Sequence, residues 1–364
     1  MIKLLIVDDS ALMRRLLGEI FGQESDFEVR AARNGLEALD QLQTYAPDVI
    51  TLDIHMPQMD GLQCLDRIMI ERPCPVVMVS SLTAEGAETT LEALRLGAVD
   101  FIPKPDGAVS LSIHEMAPLL VDKVRSAASA RLKPSLRLKE RVRHRMTGGL
   151  RKPPVTKGAA GSAPLVAAVG HGLVLVGVST GGPPALEALL TPLPADFPWP
   201  IVIAQHMPAT FTGPLARRLD GVCALSVSEI AQPTLLQPGC AYIGRGDADV
   251  IISRRAAGIT AMPAPSQKDY PWHPSVDRLV RSAMEFMPAG QLIGVLMTGM
   301  GYDGALAMRD LRELGGRTIA ESEDSAVVWG MPGELVKAGG ADWIEPLATI
   351  AARLRSLAPQ MAGA

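Results

Sequence analysis

Short apolar runs recur along the chain, each followed by a longer stretch in which apolar residues return every three or four positions. In the first 125 residues the runs are 3–7, 27–31, 49–52, 76–79 and 100–102, and helical spacing occupies 12–21, 36–44, 61–71, 85–97 and 113 to about 130. A short apolar run without alternation marks a strand buried on both faces, as in a parallel sheet covered by helices. Five strands alternating with five helices predict a doubly wound α/β domain with a five-stranded parallel sheet. The alternation resumes later, with strands at 173–177, 201–204 and 292–297 and helices at 183–190, 211–220, 275–286, 305–314 and 347–357. Between them, 223–262 holds short strands and turns (237–242, 247–253, 258–262). This predicts a second, Rossmann-like α/β domain, mainly parallel with an antiparallel edge.

The rhythm stops between the two halves. The stretch RLKPSLRLKERVRHRMTGGLRKPPVTKGAAGSAP is basic and then rich in Gly, Pro and Ala, the composition of a tether. Its Arg137, Arg141, Arg143 and Arg145 suit a solvated segment or an acidic partner. The expected division is 1–125, a linker over 126–171, and 172–357. A chain of 364 residues has room for two such domains, and 48% hydrophobic residues can fill two cores. A net charge of −4 argues against a nucleic-acid binder. The four cysteines show no CxxC pair or metal spacing and read as buried thiols in a reducing compartment. The opening MIKLLIVDDS reaches Asp8 and Asp9 too soon for a signal peptide, and no apolar run approaches the roughly 20 residues that span a bilayer. A cytoplasmic protein without membrane insertion is expected.

Two sets of side chains carry chemistry. In the first domain Asp8 and Asp9 follow the first strand and Asp53 ends the third, so three carboxylates converge at one sheet edge. Clustered carboxylates repel unless a cation neutralises them, and Mg²⁺, a hard ion with oxygen ligands, suits them. One carboxylate can then attack a phosphoryl group. Ser80 ends the fourth strand with a hydroxyl, and Lys104 follows the fifth with a cation. The Ile102-Pro103-Lys104-Pro105 run has room for a cis bond. The pattern DD…LDIHMPQMDG…VSS…DFIPKP resembles the receiver domain of bacterial response regulators over about residues 2–125. The resemblance implies that Asp53 is the phosphoacceptor, that Asp8, Asp9 and Asp53 hold Mg²⁺, that Ser80 and Lys104 read the phosphoryl group, and that a histidine kinase is the phosphodonor. His55 stands where an acidic or polar residue is commoner, and the metal ligand implied there is its backbone carbonyl.

In the second domain Ser179, His206 and Asp303 each lie just past a strand, where open parallel sheets collect ligands and chemistry. Gly177-x-Ser179-x-Gly181 fits a nucleophile elbow, and Pro183 suits the first turn of the helix behind it. His206 can take the serine proton, and Asp303 can fix the imidazole tautomer. Backbone N–H groups near Thr180 and Met300 are candidate oxyanion donors. The order Ser, His, Asp differs from that of lipases and esterases. A competing reading stands on the same loop. Gly299-x-Gly301-x-x-Gly304 is a dinucleotide fingerprint, and Glu321, after a strand at 317–320, sits where a ribose-binding acid belongs.

The motifs GVSTGG, QHMPATFTGPLARRL, PSVDRL, MTGMGYDG and VVWGMPGEL resemble the catalytic domain of chemotaxis protein-glutamate methylesterases over about residues 172–357. With the receiver ahead of it, the resemblance is to the two-domain response-regulator methylesterase/deamidase (CheB) family across nearly the whole chain. It implies a catalytic Ser179, His206 and Asp303, glutamyl methyl esters on chemoreceptor cytoplasmic helices as substrate, receptor glutamines as a second substrate, and no cofactor for the esterase. Arg245, Asp249, Glu321 and the Pro183-Pro184 pair depart from the family's usual residues and are expected along the substrate groove. The resemblance, together with the domain order, implies a receiver that covers the catalytic edge until phosphorylated. The alternatives are a response regulator whose output domain binds a nucleotide or protein without turnover, and a transcriptional regulator. The second is disfavoured, because no helix-turn-helix segment is evident and the output half is not strongly basic.

Overall fold

The five N-terminal runs pair as a wholly parallel sheet in the order β2-β1-β3-β4-β5. Its strands are β1 (Ile2–Val7), β2 (Phe27–Ala32), β3 (Val49–Asp53), β4 (Val76–Ser80) and β5 (Asp100–Pro103). Leu4, Leu5, Ile6, Ile50 and Leu52 are fully buried, as expected of strands covered on both faces. The helices that follow them in turn are α1 (Ala11–Gly22), α2 (Gly35–Thr44), α3 (Gly61–Glu71), α4 (Ala84–Leu96) and α5 (Ala117–Ala128). The first four start where a polar side chain (Ser10, Asn34, Asp60 or Thr83) accepts a free first-turn N–H, each cap contributing about 1 kcal/mol. The strand order reverses between β1 and β3, which opens a crevice at their carboxyl ends.

This computed structural model describes residues 1–81, 83–104, 116–132 and 172–358. Most of the tether expected at 126–171, its four arginines and Pro105 lie outside the described residues. The chain divides into two units, Met1–Arg151 and Lys152–Ala364. No described helix is long and apolar enough to cross a membrane.

The second unit is built on seven strands in the order β15-β14-β13-β6-β7-β10-β8, every neighbour parallel. At its centre lie β6 (Leu173–Val178), β7 (Ile201–Gln205) and β13 (Leu292–Leu296). Outward on one side are β10 (Cys240–Gly244) and β8 (Ser226–Ile230), and on the other β14 (Arg317–Glu321) and β15 (Trp343–Glu345). The antiparallel strands expected at an edge make a small sheet of their own, β11 (Asp249–Arg255), β12 (Gly258–Ala264) and β9 (Thr234–Leu235). The run predicted at 237–242 forms β10 instead and joins the parallel sheet. The helices are α6 (Gly182–Leu190), α7 (Ala209–Val222), α8 (Val276–Phe286), α9 (Ala305–Glu313), α10 (Met331–Lys337) and α11 (Leu347–Leu357). From β6 the chain first winds toward β7 and later returns on the other side through β13. The crevice of this sheet therefore opens between β6 and β13. The cis peptide bond among the described residues is His273–Pro274, and Ile102–Pro103 is not cis.

Candidate functional site

At the first crevice β1 delivers Asp8 and Asp9, and β3 ends on Asp53. One carboxylate oxygen from each lies within 4.8 Å of the others. Asp8 and Asp53 are buried and Asp9 is exposed, so the group opens to solvent on one side. Lys104 reaches in from the end of β5, with Nζ 2.8 Å from Asp53 Oδ1 and 3.2 Å from Asp8 Oδ2. Burial raises the Asp8 pKa, Lys104 opposes that rise, and the charge of Asp53 adds to it. Asp8 Oδ2 is buried and makes no directed hydrogen bond among the described residues despite the nearby ammonium. Oxygen-only donors, one of them under-satisfied, fit a hard divalent cation. Ser80 is placed differently. Lys104 N donates to its carbonyl at 2.6 Å, while its hydroxyl accepts from Thr90 Oγ1 at 2.7 Å and lies 3.3 Å from the Gly86 carbonyl. The Ser80 side chain is thus engaged by α4.

At the second crevice Ser179 follows β6, His206 follows β7 and Asp303 lies in the loop after β13. Val178 and Gln205 are register partners, and His206 N donates to Val178 O at 3.1 Å, which sets His206 across from Ser179. Gln205 Nε2 fastens the two strand ends, donating to Ser179 O at 3.0 Å and to His206 O at 3.1 Å. The elbow turns at Gly181, where φ is +76° and a Cβ would lie 2.8 Å from Val327 Cβ. A glycine there relieves both the backbone conformation and the close approach. Ser179 is half-buried, and its hydroxyl makes no hydrogen bond to the imidazole. Such bonds are often long in a free enzyme.

The His206–Asp303 pair is made. Nε2 lies 2.8 Å from Asp303 Oδ2, and the two side chains are only 8% and 3% exposed. A carboxylate only accepts, so Nε2 carries the proton and Nδ1 presents its lone pair. Nδ1 is buried and has no hydrogen-bond partner among the described residues. Asp303 is saturated. Besides His206 it accepts from Val276 N at 2.7 Å, Asp277 N at 3.0 Å and Ser275 Oγ at 3.0 Å. Burial alone would raise its pKa, but the His206 hydrogen bond and charge, helped by these N–H groups at the start of α8, hold it below the usual carboxylate range. Next to it, burial and the charge of Asp303 push Asp277 up to about 6.

Around the candidate oxyanion donors, Thr298 ties two loops together. Its hydroxyl donates to Thr180 O at 2.9 Å, and its carbonyl accepts from Ser179 N at 2.9 Å. Its N–H donates to Glu321 Oε2 at 2.8 Å. Glu321 is fully buried and also accepts from Ser325 Oγ at 2.8 Å. It is therefore neither a ribose-binding acid nor a groove residue. The glycine fingerprint is likewise filled by protein: the Trp272 ring packs on Gly301, and Val276 occupies the space beside Gly304. Asp249, also expected in the groove, is fully buried, while Arg245 and Pro184 are exposed. Sequence reasoning missed Thr298, Ser275, Gln205 and Trp272. Only the Ser275 N-cap position before a helical run carried a local signal.

The fold and site define a receiver-like domain followed by a second α/β domain in which Ser179, His206 and Asp303 lie past the ends of three parallel strands. Residues 4–113 match the response regulator receiver domain family, and residues 174–354 match the CheB methylesterase family. A protein-glutamate methylesterase/protein-glutamine glutaminase of Rhodopseudomonas palustris is 57% identical over 97% of this chain and 97% of its own. One from Rhodospirillum rubrum is 54% identical over 98% of this chain and 96% of its own, and one from Vibrio cholerae is 44% identical over 92% and 90%. The chain belongs to the CheB methylesterase family and carries that family's receiver domain.

Proposed function

We propose that this enzyme hydrolyses glutamyl methyl esters on the cytoplasmic helices of chemoreceptors, releasing methanol, and that phosphorylation of Asp53 by a histidine kinase raises its turnover. The cell compartment consistent with such a substrate is the cytoplasm. Ser179 Oγ attacks the ester carbonyl as His206 Nδ1 takes its proton, forming an imidazolium that Asp303 stabilises through Nε2. The N–H groups of Thr180 and Met300 are the proposed donors to the oxyanion, a role worth roughly 10²–10³ in rate per donor. The tetrahedral intermediate expels methanol, which leaves with the His206 proton. Water, deprotonated by the same Nδ1, then attacks the acyl-enzyme and frees the receptor glutamate and Ser179. The same steps with ammonia as leaving group deamidate a glutamine. No cofactor enters these steps.

In the receiver, Asp8, Asp9 and Asp53 are the residues proposed to hold Mg²⁺. When bound, that ion offsets negative charge on the phosphoryl oxygens. Lys104 is the second cation for the phosphoryl group, and Ser80 supplies a hydroxyl to it. The single observation carrying the enzymatic reading is the His206 ring, bonded to a saturated carboxylate on Nε2, with Nδ1 buried, without a hydrogen-bond partner among the described residues and one strand from Ser179. The test is methanol release from methylated receptors with and without a small phosphodonor, on wild type and Ser179→Ala. Release that survives the substitution defeats the proposal.

A further inference from the structure

Trp272 lies in the segment before α8 and is half-buried. Its ring stands parallel to the His206 imidazole, with centroids 6.1 Å apart and planes 9° from parallel. The same indole reaches the loop after β13. A Cβ on Gly301, where φ is +84°, would lie 2.7 Å from Trp272 Cζ2, so the ring rests on bare backbone one residue from Met300. Tyr302, next in that loop, meets the indole in a T-shaped contact, with centroids 4.8 Å apart and planes at 87°. One rigid side chain therefore spans the base and the loop of a candidate oxyanion donor.

That side chain has an anchor. Its neighbour His273 bonds through Nδ1 to Asp249 Oδ1 at 2.9 Å, and Ser275 N donates to the same oxygen at 2.7 Å. Arg278 Nη1 donates to Asp249 Oδ2 at 2.6 Å. Asp249 is fully buried, and a buried carboxylate persists only when its partners are in place. The segment from Trp272 to Arg278 is thereby pinned at three points, one of which, Ser275, also donates to Asp303.

We infer that Trp272 is a positioning residue: it limits rotation of the His206 ring, which one hydrogen bond to Asp303 does not fully fix, and sets the spacing between Nδ1 and the Met300 loop. The inference rests on the hydrolase reading above. A positioning residue acts on every attack by Ser179 Oγ, on an ester carbonyl or on a phosphorus that loses fluoride, whereas a docking residue acts only on the receptor.

The experiment uses the full chain as wild type, Trp272→Leu, which keeps an apolar side chain without a flat ring, and Trp272→Phe, which keeps a ring. Two rates are measured: methanol release from methylated receptors, as kcat and KM, and covalent labelling of Ser179 by a fluorophosphonate. Misplacing a reacting group by an ångström costs up to about 10²-fold, so Trp272→Leu is expected to lower kcat and labelling together by about 10–10²-fold, with KM nearly unchanged. Trp272→Phe is expected to restore most of both rates. Unchanged kcat and labelling in Trp272→Leu, or a loss confined to KM, overturns the inference. A wild type that neither releases methanol nor labels defeats the hydrolase reading itself, and so is told apart from failure of this inference.

Discussion

The two crevices use one architecture to opposite electrostatic ends. Each lies at the carboxyl ends of parallel strands where the order reverses, and each is centred on a buried aspartate. In the receiver, burial and a second carboxylate raise Asp8 against the pull of Lys104, and one of its oxygens has that ammonium nearby but no directed hydrogen bond among the described residues. In the catalytic unit, Asp303 has four donors and a depressed pKa. An under-satisfied carboxylate group has lone pairs to offer a hard cation. A saturated carboxylate has nothing left to bind and holds a neighbouring base in one tautomer.

The contrast breaks most sharply at the catalytic site. Ser179→Ala is expected to cut methanol release by roughly 10⁴-fold or more, as is Asp303→Asn, whose amide turns a donor toward N–H groups and disturbs the imidazole tautomer. Circular dichroism of both variants should match wild type, and an Asp303→Asn enzyme of near-normal kcat would mean that the carboxylate does not orient His206. Next in size, Asp53→Asn is expected to abolish stimulation by acetyl phosphate while basal release stays. Stimulation that persists places the phosphoacceptor elsewhere. A chelator separates the two sites without mutation. Excess EDTA should remove phosphodonor stimulation and leave basal turnover unchanged, and a parallel loss of basal release would show that the hydrolase depends on a metal.

The smallest expected effect concerns Asp277, which lies between the two electrostatic regimes. Its carboxyl, ordinarily near 3.8, is raised to about 6 by burial and by Asp303, so the folded state holds its proton more tightly than the unfolded chain. That preference supports the fold below about pH 4 and is lost as pH rises through about 6. Asp277→Asn keeps the oxygen that accepts from Ala307 N and removes the charge. It should stabilise the protein at pH 8 by about 1–3 kcal/mol in urea unfolding, with the gain shrinking toward pH 4. A gain independent of pH would rule out titration as its source.

Much of this was legible along the chain. The runs at 173–177, 201–204 and 292–297 appear as β6, β7 and β13 with ends shifted by one residue at most, because strands buried on both faces leave unbroken apolar runs. Ser179, His206 and Asp303 could be picked out because strand ends are where an open sheet gathers chemistry. The supporting residues could not. Thr298 is an ordinary polar residue in sequence, Glu321 and Asp249 stand out there only for other roles, and what they do comes from partners up to 118 positions away, as between Thr298 and Thr180. The groove expected at Asp249 and Glu321 fails for the same reason, since both face inward to satisfy backbone N–H groups.

By itself the sequence determined the alternation of strands and helices, the two acidic and nucleophilic sets and the end of the sheet on which each falls. These depend on local periodicity and on the residue types at strand ends, which are written in consecutive positions. The tertiary structure alone decided that the antiparallel strands form a separate sheet, that the glycine loop is filled by Trp272 and Val276, and that Asp303 is saturated while Asp8 is not. Hydrogen-bond satisfaction and close packing are set by atoms brought together from distant segments, and no stretch of chain specifies its own neighbours.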